Sequence, residues 1–472
     1  MDDARIEAIV SEVVRRLGSS AGSQGPGPLV RSPRHVVGRH GLFEQIDDAV
    51  GAAGDAYIQL STTPTHVRQR AIDNMRRVTL ENLDEIARRA VEETGLGRID
   101  DKVNKNRLVA NKTPGMEILQ PSCHTGDNGL TLDERGSLGV IGSITPCTNA
   151  TETILNNAIS MIAGANTVAF NVHPSAKRTL AWYVEMLNKA CVAAGAPDNM
   201  MTMITEPTID SAQALMTHKG VRLLAVTGGG PVVRAALNSG KRAVCAGPGN
   251  PPAVVDETAN LRNAARNIIA GASLDNNIVC IVEKEIIVVE SVADRLKQEM
   301  RDAAAYEVKG RELINLEKLL IVDGHMNRKY VGKNASVILR DIGVQVPDST
   351  RIVFAEVHED HPFIQLEMLS PVLGLVRVPD WEQAVAMAVR AEHGNFHTAT
   401  MHSMAIDRLD YMARAVNCSI FVKNAPSYAG LGLGGEGYTA WTIAGTTGEG
   451  LTNALTWTKQ RRCTLQGFFH IV

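Results

Sequence analysis

The residue best placed for covalent chemistry is Cys280, which closes the run Ala272-Ser273-Leu274-Asp275-Asn276-Asn277-Ile278-Val279-Cys280. Ser, Asp and Asn bond to nearby backbone and favour turns; two apolar residues and the thiol follow. The next stretch, Ile281–Glu290 (IVEKEIIVVE), reads as a β-branched strand. The thiol is therefore expected where a loop enters a buried strand, a place that can hold a nucleophile at a cleft wall. A thiolate adds to a carbonyl carbon and leaves again from the thioester it forms. The bland alternative is a small core side chain. A second thiol competes for the role, Cys147 in Thr145-Pro146-Cys147-Thr148-Asn149, where Asn149 adds an amide donor.

Three segments have the chemistry to hold a dinucleotide. Thr227-Gly228-Gly229-Gly230 follows the strand candidate Val221–Val226 and precedes a helix, so its amides can approach phosphate. It lacks the G-x-G-x-x-G spacing, and an ordinary turn is the alternative. His173-Pro174-Ser175-Ala176-Lys177 sets a hydroxyl and a cation at a helix start, with a Pro-opened helix and a solvated lysine as the plain reading. Thr145–Asn149 stands at the carboxyl end of the strand candidate 136–144, where open α/β sheets bind ligands.

The elements that position these groups alternate. A helical region runs from Gly41 to about Asn111. Strands are expected at 136–144, 167–172 and 221–226, with helices through Ala163 and from Lys177 to about Ala194. Further strands are expected at 286–289, 318–322 and 372–378, a helix over Trp381–Ala391, and a last strand over Leu465–Val472. Such alternation predicts parallel sheets covered by helices. The N-terminus is separate. Ile6, Ile9, Val10, Val13, Val14 and Leu17 share one helical face, and a Gly/Pro/Ser tether follows to Pro28. Its apolar stripe needs a partner, either the protein's own body or another protein.

At 472 residues the chain predicts more than one domain. A net charge of −3 without a basic field argues against nucleic acid, and no apolar run is long enough to span a bilayer. No secretory signal is read at the N-terminus. Seven widely spaced cysteines, with no C-x-x-C pair, fit neither a zinc motif nor a disulfide framework, and suit a reducing cytoplasm.

From about residue 40 onward, the ordered segments ITPCTNATETILNNAISMI (144–162), HPSAK (173–177), VTGGGPVV (226–233), AGPGNPPAVVD (246–256), SLDNNIVC (273–280), EMLSPVLGLVRV (367–378) and EHGNFHTATMHS (392–403) resemble the aldehyde dehydrogenase superfamily. The likeness is closest to its CoA-acylating branch from bacterial microcompartments. The resemblance implies an α/β fold with a Rossmann-like NAD domain, a second α/β catalytic domain and a β oligomerisation element. In these terms, 1–17 is a targeting helix and 18–38 a linker. Residues 39–245 bind NAD and CoA and carry an oligomerisation hairpin near 117–143. Residues 246–430 bear the nucleophile, and 431–472 return to the NAD domain and end in an oligomerisation strand.

The resemblance further implies that Cys280 is the nucleophile, that Asn149 and the Cys280 N–H form the oxyanion hole, and that His397 lies near the thioester or CoA. Thr145, Pro146, His173, Pro174, Ser175, Lys177, Thr227, Gly228, Gly229, Gly230, Glu367 and Pro371 would contact NAD, Glu367 through the nicotinamide ribose. No metal is implied. Hydrolytic relatives place a glutamate 34 residues before the thiol; here that position is Ala246. Alanine cannot activate water, so thiolysis by coenzyme A is expected to release a short-chain acyl group. Ile278-Val279 stand where family members often have Leu-Pro, and Asn395-Phe396 where a Leu and a second His are common, which leaves chain length open. The expected setting is cytoplasmic, inside a microcompartment, as a homodimer or homotetramer whose residues 1–17 contact shell or cargo proteins. The competing readings are a hydrolytic dehydrogenase and a docking scaffold that has lost catalysis.

Overall fold

The apolar stretch after Gly136 becomes a strand only at Val140–Ile144, all of it buried. Gly136 instead ends the hairpin strand Gly129–Gly136. This computed structural model describes residue 38 and residues 40–469. The helix expected at 1–17, the tether except Gly38, and residues 470–472 of the expected last strand lie outside the described residues.

Six parallel strands form the first sheet, in the order Leu42–Phe43, Met201–Ile204, Thr167–Asn171, Val140–Ile144, Val221–Thr227, Ala243–Ala246. Chain order runs outward from Val140–Ile144 to one side, then returns to its other flank at Val221–Thr227. That reversal opens a crevice between the carboxyl ends of these two strands. A second, seven-stranded parallel sheet runs Tyr306–Glu307, Val353–Glu356, Val372–Val378, Glu285–Val289, Pro252–Val255, Thr398–His402, Ile420–Lys423. A third, antiparallel sheet joins the hairpin Ser122–Gly126 and Gly129–Gly136 to Lys459–Gln466.

Several elements differ from the sequence reading. The helical stretch Val67–Ala90 is two helices, Thr65–Glu81 and Leu83–Thr94. They break at Asn82, whose side chain donates to the Val78 carbonyl at 2.7 Å. Residues 318–320 end the helix Arg311–Leu320, because burial of Leu316 and Leu320 at i, i+4 outweighs β propensity. Only Ile321–Val322 is strand there. The last strand is Lys459–Gln466, earlier than 465–472. After the thiol, strand begins at Glu285, so Cys280 sits in a turn.

Packing cuts across chain order. Leu274, Val279, Ile281 and Val282 flank the thiol and join the core of the first sheet, with Ile154 and Leu155 of the fully buried helix Ala150–Ala163. Trp441, Ile443 and Trp457, far downstream, fill the same core. The thiol loop is thus anchored against the first sheet although the second sheet continues its chain. Among the described residues no helix is long and apolar enough to cross a membrane.

Candidate active site

The crevice at the strand reversal opens into a cavity of about 680 Å³. Thr145, Pro146, Cys147 and Asn149 line it from the end of one central strand, and Thr227, Gly228 and Gly229 from the other. His173 and Pro174 come from the next strand end, and Cys280 and Glu367 from the second half of the chain. Eleven residues widely separated in sequence therefore meet in one space.

The loop that presents Cys280 is built residue by residue from its polar run. Asp275, Asn276 and Asn277 take φ values of 51°, 54° and 68°. This left-handed region is tolerated best, after glycine, by Asn and Asp. Their side chains are buried and bonded. Asn277 Nδ2 donates to the carbonyls of Ala272 and Glu283 at 2.8 and 2.9 Å, and Asn276 Nδ2 to Gly332 O and Asn334 Oδ1 at 2.9 and 2.8 Å. Asp275 Oδ1 accepts from the Arg98 N–H at 2.7 Å. Lys284 reaches back under the loop: its Nζ donates to Asn277 O and Oδ1, each at 2.7 Å, and to Val279 O at 3.2 Å.

Electrostatics set the thiol's state. Burial, and secondarily the Glu367 carboxylate, push the half-buried Cys280 thiol up to about 12, against the opposing pull of Lys284. Burial also lowers Lys284 to about 8, although the neighbouring Glu367 works to raise it. Glu367 is itself held above the usual carboxylate range by burial, with Lys284 opposing, and accepts weakly from the Gly249 N–H at 3.4 Å. The thiol of the free protein is therefore protonated at neutral pH. Cys147 is raised as well, again by burial.

Asn149 stands just before the helix Ala150–Ala163, and its backbone carbonyl accepts the Thr153 N–H at 3.0 Å. Its Oδ1 accepts from Lys105 Nζ at 2.8 Å. At the nucleotide end, the helix Gly230–Leu237 starts from Gly229 with no side-chain cap, leaving its first amides unmet by side chains. Thr145 Oγ1 is buried beside the cavity and without a partner among the described residues. A Cβ on Gly229 would find nothing closer than 3.9 Å, so the backbone there is open to a ligand. The open backbone at Gly229, an unmet hydroxyl and the apolar Val172, Ile209, Ala212 and Val232 fit a dinucleotide.

Five of the proposed site residues do not line this cavity. Ser175 is exposed, and Lys177 pairs with Glu206. Gly230 lies inside the helix start, and Pro371 is buried, its carbonyl accepting the Val353 N–H at 2.9 Å. His397 is fully buried behind Gly249, where a Cβ would lie 2.6 Å from the Cys280 carbonyl oxygen and 3.1 Å from the imidazole. Its Nδ1 shares a hydrogen bond with Thr398 Oγ1 at 2.9 Å, while Nε2 has no partner among the described residues. Burial, assisted by Lys284, lowers it to about 4, so the ring is neutral.

Ala246 ends its strand with the methyl buried; Gly247 and Pro248 face the cavity instead. Among the described residues Glu367 is the cavity's one carboxylate. Sequence reasoning missed Lys105, Lys284, Arg328 and Trp441. Lys284 was in view, four residues after the thiol, whereas Lys105 and Trp441 carry no local signal of a site.

Residues 39–314 match the aldehyde dehydrogenase family. Over the whole of both chains the protein is 45% identical to the acetylating acetaldehyde dehydrogenase EutE of Salmonella typhimurium. It is similar to the propionaldehyde dehydrogenase of the Clostridium phytofermentans fucose utilisation microcompartment, at 44% identity and a TM-score of 0.90, covering 92% of this chain and 100% of that one. It also resembles the Rhodopseudomonas palustris propionaldehyde dehydrogenase solved with bound CoA and an acylated cysteine. That match has 45% identity, a TM-score of 0.90, and covers 92% and 100% of the two chains.

Proposed function

The chain belongs to the aldehyde dehydrogenase family, and from that premise we propose that it converts a short-chain aldehyde, acetaldehyde or propionaldehyde, and coenzyme A to the acyl-CoA. The observation that carries the reading is the meeting of Cys280, Asn149 and Glu367 in one cavity whose strand position holds Ala246 and no second carboxylate. NAD, when bound, supplies the acceptor for the hydride. Thr145, Thr227, Gly228, Gly229, His173 and Glu367 are the residues that would hold it.

Cys280 Sγ adds to the aldehyde carbon as its S–H proton passes to solvent water, the one proton released in the overall reaction, giving the thiohemiacetal oxyanion. The oxygen that becomes negative faces the Asn149 amide and the Cys280 N–H, donors of a kind worth about 3–4 kcal/mol when removed singly. Loss of hydride leaves an acyl thioester on Cys280. The thiolate of coenzyme A then adds to that carbonyl, and Cys280 departs as thiolate. A thiol ionises far more readily than water, so this step needs no strong base. NADH formation from acetaldehyde and propionaldehyde, with and without coenzyme A, is the test. Acyl-CoA in proportion to NADH supports the reading; stoichiometric free acid without coenzyme A makes the enzyme hydrolytic.

Encapsulation is part of the same proposal. Six aliphatic residues on one face of 1–17, followed by a tether, suit a groove on a shell or cargo protein. The microcompartment origin of a close structural relative supports this. A shell would confine a volatile aldehyde. Deleting residues 1–20 should leave turnover intact and release the enzyme from purified shells; a deletion variant that stays with them refutes the idea. A homo-oligomer is proposed on the exposed strand Lys459–Gln466, whose Leu465, with Phe468 and Phe469 just after the strand, is open to solvent in one chain.

A further inference from the structure

The helix Ile99–Lys112 buries two lysines, Lys102 and Lys105, at 2% and 1% exposure. Buried ammonium groups are costly unless every donor and the charge are met. Lys105 Nζ lies 2.6 Å from Asp275 Oδ2, 2.8 Å from Asn149 Oδ1 and 3.1 Å from Glu152 Oε1, which occupies its three donors. Lys102 Nζ meets Asp275 Oδ2 at 2.8 Å and Thr148 O at 3.4 Å. Two cations and two carboxylates thus close a neutral cluster beneath the cavity. Lys105 also lies 5.4 Å from the ring centroid of Trp441, a cavity wall.

Replacing such a cluster by well-packed apolar residues is often neutral for stability, so stability alone gives little reason for it. Its contact with Asn149 is informative. The two ends of a carboxamide are nearly the same shape, and a flip would present an oxygen, rather than N–H, to a developing oxyanion. An ammonium can only donate, so it selects the oxygen end. Among the described residues the other end, Nδ2, has only Thr148 Oγ1 at 3.5 Å and keeps a proton for the cavity. The same Nζ grips Asp275, five residues before Cys280.

We propose that Lys105 is a positioning residue that holds the Asn149 amide with its N–H toward the reacting carbonyl oxygen and ties that amide, through Asp275, to the loop bearing Cys280. The proposal rests on the reading of Asn149 as the oxyanion donor. Burial alone would lower the lysine, but Asp275 and Glu152 together outweigh it and hold the ammonium above its ordinary value.

A double-mutant cycle on the full-length enzyme tests it, with kcat, KM for propionaldehyde and Tm measured throughout. Lys105→Met should lower kcat about 10–100-fold with KM changed less than about 3-fold, and in an Asn149→Ala background it should cost less than about 3-fold more. Lys102→Met removes a charge from the same cluster without touching Asn149, and its effect should multiply fully with Asn149→Ala. Wild-type kcat in Lys105→Met, an equal loss in both backgrounds, or the same sub-additivity for Lys102→Met overturns the proposal. If Lys105→Met is insoluble, Lys105→Gln, shorter and uncharged, is put through the same cycle with the same criteria. Wild-type kcat in Asn149→Ala alone instead overturns the oxyanion reading beneath it.

Discussion

The nucleotide-facing wall of the cavity presents backbone, with Gly228 and Gly229 at an uncapped helix start and Thr145 with an unmet hydroxyl. The nucleophile wall presents side chains locked by other side chains: three left-handed residues, each with a buried polar group bonded inward, and a lysine beneath them. The first wall is open where a ligand supplies the missing partners. The second is already satisfied, so its geometry is set before substrate arrives. Recognition by backbone tolerates change in neighbouring side chains, whereas preorganisation by a buried network does not.

The largest effect should come from the centre of the nucleophile wall. Cys280→Ala is expected to lower aldehyde oxidation by at least about 10³-fold while NAD binding, followed by fluorescence titration, is nearly unchanged. If the variant keeps more than a few per cent of its activity, Cys147 becomes the thiol to test, since it lines the same cavity.

Next in size is Gly97, which touches the loop from outside. A Cβ there would lie 1.9 Å from Asp275 Oδ1, and its φ is +77°. Gly97→Ala is expected to cost roughly 2–4 kcal/mol in urea unfolding, combining a left-handed alanine with displacement of a buried, ion-paired carboxylate. A loss below about 1 kcal/mol would mean that the loop is more compliant than its bonding suggests.

Gly229→Ala is the matching change on the nucleotide wall, and the fold has room for it. Tm should hold, while KM for NAD rises about 3–30-fold as the methyl group obstructs close approach to the amides. A fall in Tm with KM unchanged would reverse the contrast between the walls.

The smallest effect concerns the thiol's proton. A thiol pushed up to about 12 gains thiolate about tenfold per pH unit below that value. Alkylation of Cys280 in the free enzyme should therefore rise from pH 7 to 10 without a plateau. Glu367 contributes to the upward push, so Glu367→Gln should speed alkylation by a few-fold at a given pH. A plateau below pH 8, or slower alkylation in the variant, contradicts this account.

How much was legible follows the same division. Strand-end motifs such as Thr227-Gly228-Gly229 and Thr145–Asn149 were readable because glycine, proline and capping residues act on their own backbone, and the periodicity of the flanking strands placed them. The helix Trp381–Ala391 was readable to the residue, since Asp380 caps it by accepting the Gln383 N–H at 2.8 Å. Strand propensity misled after Cys280: Ile281 and Val282 are β-branched, yet both turn into the first sheet's core.

Residue type and short-range backbone preference account for the alternation of strand and helix, the turn chemistry of Ser273–Asn277, the thiol and the lack of a carboxylate at Ala246. Long-range packing accounts for the rest: Lys105 bonds to Asn149 and Asp275, His397 stands behind Gly249 rather than in the cavity, and Trp441 forms one of the cavity's walls. These contacts join residues 44 or more positions apart, and a one-residue offset along the helix would turn the lysine about 100° away from Asn149 with no change in the local pattern.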